Sequence, residues 1–279
     1  MLRLRVASAA VLVPLLLVVL LAGQPWLTAA VAVAAVIAAR ETFRLLDGAG
    51  IPGQPVLGAL IALLVVAEAW LLPGEPGAAP AAAAIGVVAA GIWSFRRLDP
   101  RQGFRTWLGT AFGGLYVALI AFVVRIAEAP LVLPTSAPLA ASLDGGRAWL
   151  LILVGTVWAY DTGAYAAGRA FGRGRFLAHI SPSKTWSGLA GGTAAGTAAC
   201  AALLIATGQV PLMALLLGPV IGLAAQAGDI AESMLKRAAG AKDSGSLIPG
   251  HGGMLDRIDS FLFAAPITYG FLVLSGLIA

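Results

Sequence analysis

Between positions 229 and 259 the chain collects the side chains that handle phosphate and metal. They are Asp229, Ser233, Lys236, Arg237, Lys242, Asp243, His251, Asp256, Arg257 and Asp259, interleaved with Gly240, Gly245, Gly250, Gly252 and Gly253. If a helix runs through the first of them, Asp229, Ser233, Lys236 and Arg237 fall at i, i+4, i+7 and i+8 and share one face. A glycine-rich segment lets backbone N–H groups approach phosphate oxygens without Cβ clashes, and Lys242 adds a point charge. His251 has two readings, donor to a phosphate or support of a turn. Asp256 and Asp259 share a face if they open a helix, where acids suit the positive end of the dipole. Capping accounts for one acid there, not for two behind a basic glycine loop. Carboxylates and phosphates together form the usual oxygen shell of Mg2+, and Asp229 and Asp256, from two different spans, are the expected ligands.

A second set precedes it: Asp161, Arg169, Ser181, Ser183, Lys184 and Thr185. Asp161 lies in an apolar run, and an ionisable residue inside a membrane span is a functional candidate by default. The plainer alternative makes it the buried partner of Arg169 or Lys184. Lys184 with its neighbouring hydroxyls offers a cation and several donors to an anion. Gly188, Gly191, Gly192 and Gly196 read as a helix-packing surface. Cys200 reads as a small buried packer, and Glu68 receives no role.

The elements that must position these residues are membrane helices. Apolar residues make up 59% of the 279 and charged ones 11%. Apolar runs recur near 6–22, 26–43, 56–72, 79–95, 106–124, 148–167, 188–207, 211–228 and 260–278. Each approaches the ~20 residues that cross a bilayer as a helix, and period-two alternation is absent. The expectation is an all-α polytopic membrane protein of about nine transmembrane helices. The first run follows Arg3 and Arg5 like a secretory signal, but further spans follow at once, so it reads as an uncleaved span. With the N-terminus cytoplasmic and the C-terminus outside, all but Arg125 and Arg147 of the 18 Lys and Arg residues fall on the cytoplasmic side. The polar cytoplasmic loops lie in the second half. The expected division is residues 1–147, about five spans, and 148–279, the catalytic region. The net charge of +5 resides in short loops without a basic stripe or recognition motif, which excludes nucleic acid. No internal repeat supports an inverted-repeat transporter.

The run from Ser233 through Lys236, Arg237, Lys242, Asp243, His251, Gly252 and Gly253 to Asp256, Arg257 and Asp259 resembles the C-terminal signature of the phosphatidate cytidylyltransferase (CDP-diacylglycerol synthase) family, with every fixed position filled. Asp161 to Tyr165 and Ser181 to Thr185 also look like family segments. The resemblance implies that CTP and phosphatidate give CDP-diacylglycerol and pyrophosphate, in phospholipid biosynthesis, at the cytoplasmic face of a bacterial plasma (inner) membrane. It implies Mg2+ held at Asp229 and Asp256, potassium associated with the same site, and commonly a homodimer among membrane lipid. Ser233, Lys236, Arg237, Asp243 and Asp259 are then the catalytic candidates. Asp161, Ser181, Lys184, Lys242, His251 and Arg257 are the substrate-binding ones. A CTP-dependent lipid kinase and an ion-coupled membrane transporter are the alternatives.

Overall fold

Hydrocarbon offers backbone N–H and C=O groups no partners, so long apolar segments close their hydrogen bonds internally as helices. The computed structural model describes residues 2–75, 77–172, 174–248, 250 and 252–278. Among them are ten α-helices: α1 Leu2–Ala22, α2 Trp26–Gly48, α3 Pro55–Leu71, α4 Ala78–Ser94, α5 Pro100–Ala118, α6 Ala121–Glu128, α7 Gly145–Phe171, α8 Trp186–Ala206, α9 Ala214–Ala238 and α10 Leu255–Leu274. A 3-10 turn, Pro211–Met213, leads into α9. Five stretches are long and apolar enough to cross a membrane: Pro100–Glu128, Gly145–Phe171, Trp186–Ala206, Pro211–Ala238 and Leu255–Leu274. Three shorter apolar helices accompany them: Ala10–Ala22, Pro55–Leu71 and Ala78–Ser94. Large apolar side chains such as Val11, Leu15, Ile85, Leu215 and Leu216 are exposed on α1, α4 and α9, a surface suited to lipid and not to water. The chain is an all-helical polytopic membrane protein.

The expected spans map onto these helices one by one, except that the fifth is met by two, α5 and α6. Two boundaries matter for the site. The eighth span continues as α9 to Ala238, so Asp229, Ser233, Lys236 and Arg237 all lie on that helix. The ninth begins at Leu255, so Asp256 lies in the first turn of α10.

The chain divides into two compact units. One comprises Met1–Arg125 and Leu235–Ile258. In it α2, α3 and α5 pack against one another and α4 lies on α3 and α5. The Phe43 ring of α2 occupies the space a Cβ would need at Gly53, Gly58 and Gly113. Inside this unit Glu68 of α3 pairs with Arg125 of α6. The other unit comprises Ile126–Met234 and Asp259–Ala279. There α7 lies along α8, with Gly188 and Gly192 of α8 against backbone carbonyls of Ala164 and Tyr160. Small residues four apart let membrane helices approach this closely. Asp144 caps α7 by accepting from Arg147 N at 2.8 Å, and Thr185 caps α8 by accepting from Gly188 N at 3.0 Å. Each satisfies a donor that a helix start leaves without an intrahelical partner.

Candidate functional site

In the second unit, α9 carries Asp229 and Glu232 one turn apart, and α10 brings Asp259 to them. One carboxylate oxygen from each lies within 4.8 Å of the others. Gly228 makes the approach possible, because a Cβ there would overlap the main chain of Asp259. Glu232 is fully buried and Asp259 nearly so. Lys184 forms an ion pair with Asp229. It reaches there from a folded loop in which Phe176 N donates to Lys184 O at 3.2 Å and Trp186 N to Gly174 O at 3.0 Å. The Phe176 and Trp186 rings, with centroids 5.0 Å apart, close the same loop. Nearby, Tyr160 Oη donates to Gln226 Oε1 at 3.4 Å, and both residues are buried.

Three carboxylates crowded together, one of them shut away from water, repel one another strongly unless cations stand among them. Lys184 neutralises one. The remaining donors are hard carboxylate oxygens of the kind that Mg2+ and Ca2+ select. Asp229, Glu232 and Asp259 therefore fit a divalent cation by donor type and spacing.

The first unit holds a separate network. Asp256 Oδ1 accepts from Lys236 Nζ at 2.7 Å. Its Oδ2 accepts from Ser244 Oγ at 2.8 Å, Gly253 N at 2.8 Å and Ser244 N at 3.0 Å. The bond to Gly253 reaches back from the first turn of α10 to the residue just before its N-cap, Met254. Glu41, a buried residue of α2, accepts from Leu255 N at 2.7 Å and Met254 N at 3.1 Å, and its Oε2 lies 3.1 Å from Ser244 Oγ, whose single proton it shares with Asp256. A carboxylate at a helix start, partly buried, contributes up to about 2 kcal/mol by pairing with free N–H groups and the dipole. The Arg44 guanidinium, one turn further along α2, donates to the Ser244 carbonyl. Two of the glycines expected to face phosphate are used differently. A Cβ at Gly245 or Gly253 would collide with the Glu41 carboxylate.

Of the residues singled out from sequence, Asp229, Asp259 and Lys184 come together in the second unit, and Asp256 and Lys236 in the first. Asp229 has Glu232 and Asp259 as carboxylate neighbours, whereas both oxygens of Asp256 are engaged by Lys236, Ser244 and Gly253. Ser233 is buried on α9. Arg237 Nη1 donates to Ala241 O at 3.2 Å, closing the end of α9. Lys242, Asp243 and Arg257 are exposed. Asp161 is exposed on α7, and the lysine expected as its alternative partner pairs with Asp229. Ser181 is buried, and its carbonyl accepts from Lys184 N at 3.2 Å. His251 lies outside the described residues. Sequence reasoning missed Glu232, although it stands three residues from Asp229 on a helix face already under scrutiny. It also missed Ser244 and Glu41. Glu41 had a signal of its own, an acid between Arg40 and Arg44 at the end of an apolar run.

Fold and site together define a polytopic helical membrane protein with a buried acidic group suited to a divalent ion. The chain belongs to the cytidylyltransferase family, whose profile matches residues 3–275. A phosphatidate cytidylyltransferase of Brucella suis is 47% identical over 131 residues, covering 45% of this chain and 47% of the relative, so that match spans about half the relative's length. One from Synechocystis is 31% identical over 287 residues, 97% of this chain and 96% of the relative. One from Mycobacterium bovis is 35% identical over 260 residues, 90% of this chain and 81% of the relative.

Proposed function

We propose that this chain is a phosphatidate cytidylyltransferase that joins CTP and phosphatidate into CDP-diacylglycerol with release of pyrophosphate. The observation that carries the reading is the group of Asp229, Glu232 and Asp259 with Lys184 on Asp229, in a chain of this family. A non-bridging oxygen of the lipid phosphate attacks the α-phosphorus of CTP. The bond from that phosphorus to the α–β bridging oxygen breaks, and pyrophosphate carries the electron pair away. The lipid phosphate is ionised at neutral pH, so the step needs no strong base. It needs two anions brought into line with their charge neutralised.

Asp229, Glu232 and Asp259 would hold Mg2+, which would supply Lewis-acid charge stabilisation to phosphate oxygens. Asp256, the other carboxylate expected from sequence to take part, stands in the first unit with Lys236 as its counter-ion, and Lys236 is assigned to phosphate. A monovalent ion such as potassium suits the same oxygens. Lys184 holds Asp229 in place and supplies positive charge to the nucleotide. Lys242 and Arg257, both exposed, neutralise soluble phosphate groups. Ser233, Arg237 and Asp243 belong to the same segment as supporting polar groups, and Asp161 and Ser181 to the substrate-binding part. The distribution of Lys and Arg supports a reaction that faces the cytoplasm.

The test is purified protein with phosphatidate and α-labelled CTP, with and without Mg2+. Label in CDP-lipid with stoichiometric pyrophosphate, only when Mg2+ is present, is expected. Release of labelled CDP would identify a CTP-dependent lipid kinase instead, and label that stays in CTP would refute both.

A further inference from the structure

Glu41 sits far from the signature residues in sequence and takes no part in the chemistry above. Its surroundings are nonetheless built around it. It is 8% exposed; its oxygens accept from Leu255 N and Met254 N, and Oε2 stands beside Ser244 Oγ. Two glycines, Gly245 and Gly253, leave the room its carboxylate occupies. One turn along the same helix, Arg44 holds the Ser244 carbonyl. A buried carboxylate is costly unless it is fully hydrogen-bonded, so this one stays only where loop and helix start close around it.

Ser244 is the link to the chemistry. Its Oγ lies 3.1 Å from Glu41 Oε2 and 2.8 Å from Asp256 Oδ2. A hydroxyl has one proton to give and two lone pairs. Asp256 N also approaches Ser244 Oγ at 3.3 Å, and Ser244 N donates to Asp256 Oδ2 at 3.0 Å. The position of Asp256 thus follows from Ser244, and the position of Ser244 follows from Glu41 and Arg44.

We infer that Glu41 is a positioning residue for the reaction: it fixes Ser244 and the first turn of α10, and through them the Asp256 carboxylate and its Lys236 partner. The inference rests on the reading that Asp256 works in CTP-dependent transfer. It adds the element that aligns it, a carboxylate supplied by α2 at the opposite end of the sequence. Outer partners that orient acids in such sites typically change activity by roughly 10–100-fold when removed.

The experiment compares wild type with Glu41→Gln, Ser244→Ala and the double variant, reading steady-state kinetics and hydrogen exchange. Glu41→Gln keeps side-chain size but replaces an acceptor oxygen by an amide that faces donors. Expected are faster exchange of the amides at 253–256, kcat lowered by roughly 10–100-fold and KM for phosphatidate within twofold. Ser244→Ala, which leaves the Glu41 bonds to Met254 and Leu255 intact, lowers kcat in the same sense. The double variant is no worse than the poorer single one, because both act through one link. A role in folding alone would reduce the yield of folded protein and leave kcat per folded molecule unchanged, and that result overturns the inference. Losses that add in the double variant also overturn it, and if Glu41→Gln does not fold, Ser244→Ala decides: kcat within twofold of wild type overturns it. An inactive wild type would sink the reading of the chain as a cytidylyltransferase. An active wild type with inert Asp256→Asn and fully active Glu41→Gln would sink only the role given to Glu41.

Discussion

Glu68 and Arg125 form a buried ion pair in one unit, with side chains 5% and 8% exposed. Asp229, Glu232 and Asp259 form a carboxylate group in the other, with Lys184 on its more open edge. Both put charge inside a molecule made mostly of apolar helices. The first is matched one acid to one base, through both oxygens of Glu68 and one nitrogen of Arg125. Such a pair closes on itself and asks for nothing further. The second crowds three acids together beside a lysine that is only partly buried. Charge inside a membrane protein is therefore no guide to function until its stoichiometry is known. A matched pair holds helices, whereas carboxylates set this close together offer the donor type and spacing of a divalent-ion site.

The contrast can be broken from either side. The largest effect is expected from Glu68→Ala, which leaves Arg125 buried without its partner and costs about 3–5 kcal/mol. A thermal melt in detergent should show the loss, while turnover per folded molecule stays at the wild-type level. Replacing both residues by Met should restore the melt, since a buried pair exchanged for apolar residues is often neutral. Next comes Glu232→Gln, which should lower CDP-lipid formation by roughly 10²–10³-fold, the scale of one lost preorganised electrostatic contact, with little change in the melt. Full turnover in that variant would remove Glu232 from the site. Gly228→Ala sharpens the comparison by forcing a methyl against the main chain at Asp259. Overpacking of about 1–3 kcal/mol and a raised Mg2+ requirement are expected, whereas Gly270→Ala, which meets open space on the same α10, should change neither. Smallest is Asp144→Ala, which removes the α7 cap for about 1 kcal/mol and should leave turnover untouched.

The helices were legible because hydrophobic length is a local property. Each apolar run between Val6 and Ile278 appears as helix, with the fifth divided between α5 and α6 at Leu119–Ile120. The conditional reading of a continuous helix through Asp229 and Arg237 was also accessible, because their spacing is helical. What sequence could not supply was the partner of each charge. Glu68 had no assigned role because Arg125, 57 positions away, looked like a loop residue. Lys184 could have met Asp161 or Asp229, and only the fold of the loop before α8 decides. Glu41 showed in sequence only as an acid between Arg40 and Arg44, since the backbone N–H groups it accepts from are more than 200 positions distant. The glycines at 245 and 253 were read as room for phosphate, yet they make room for Glu41. In sequence the two demands look alike, because both ask only for a missing Cβ.

The most direct test of the central claim, that Asp229, Glu232 and Asp259 form the divalent-ion site, is a titration of purified protein with Mn2+ as a stand-in for Mg2+, followed by electron paramagnetic resonance. Wild type and the Glu68→Met, Arg125→Met double variant should bind the ion alike, and Glu232→Gln should bind it at least about tenfold more weakly. Equal binding by Glu232→Gln and wild type would contradict the account.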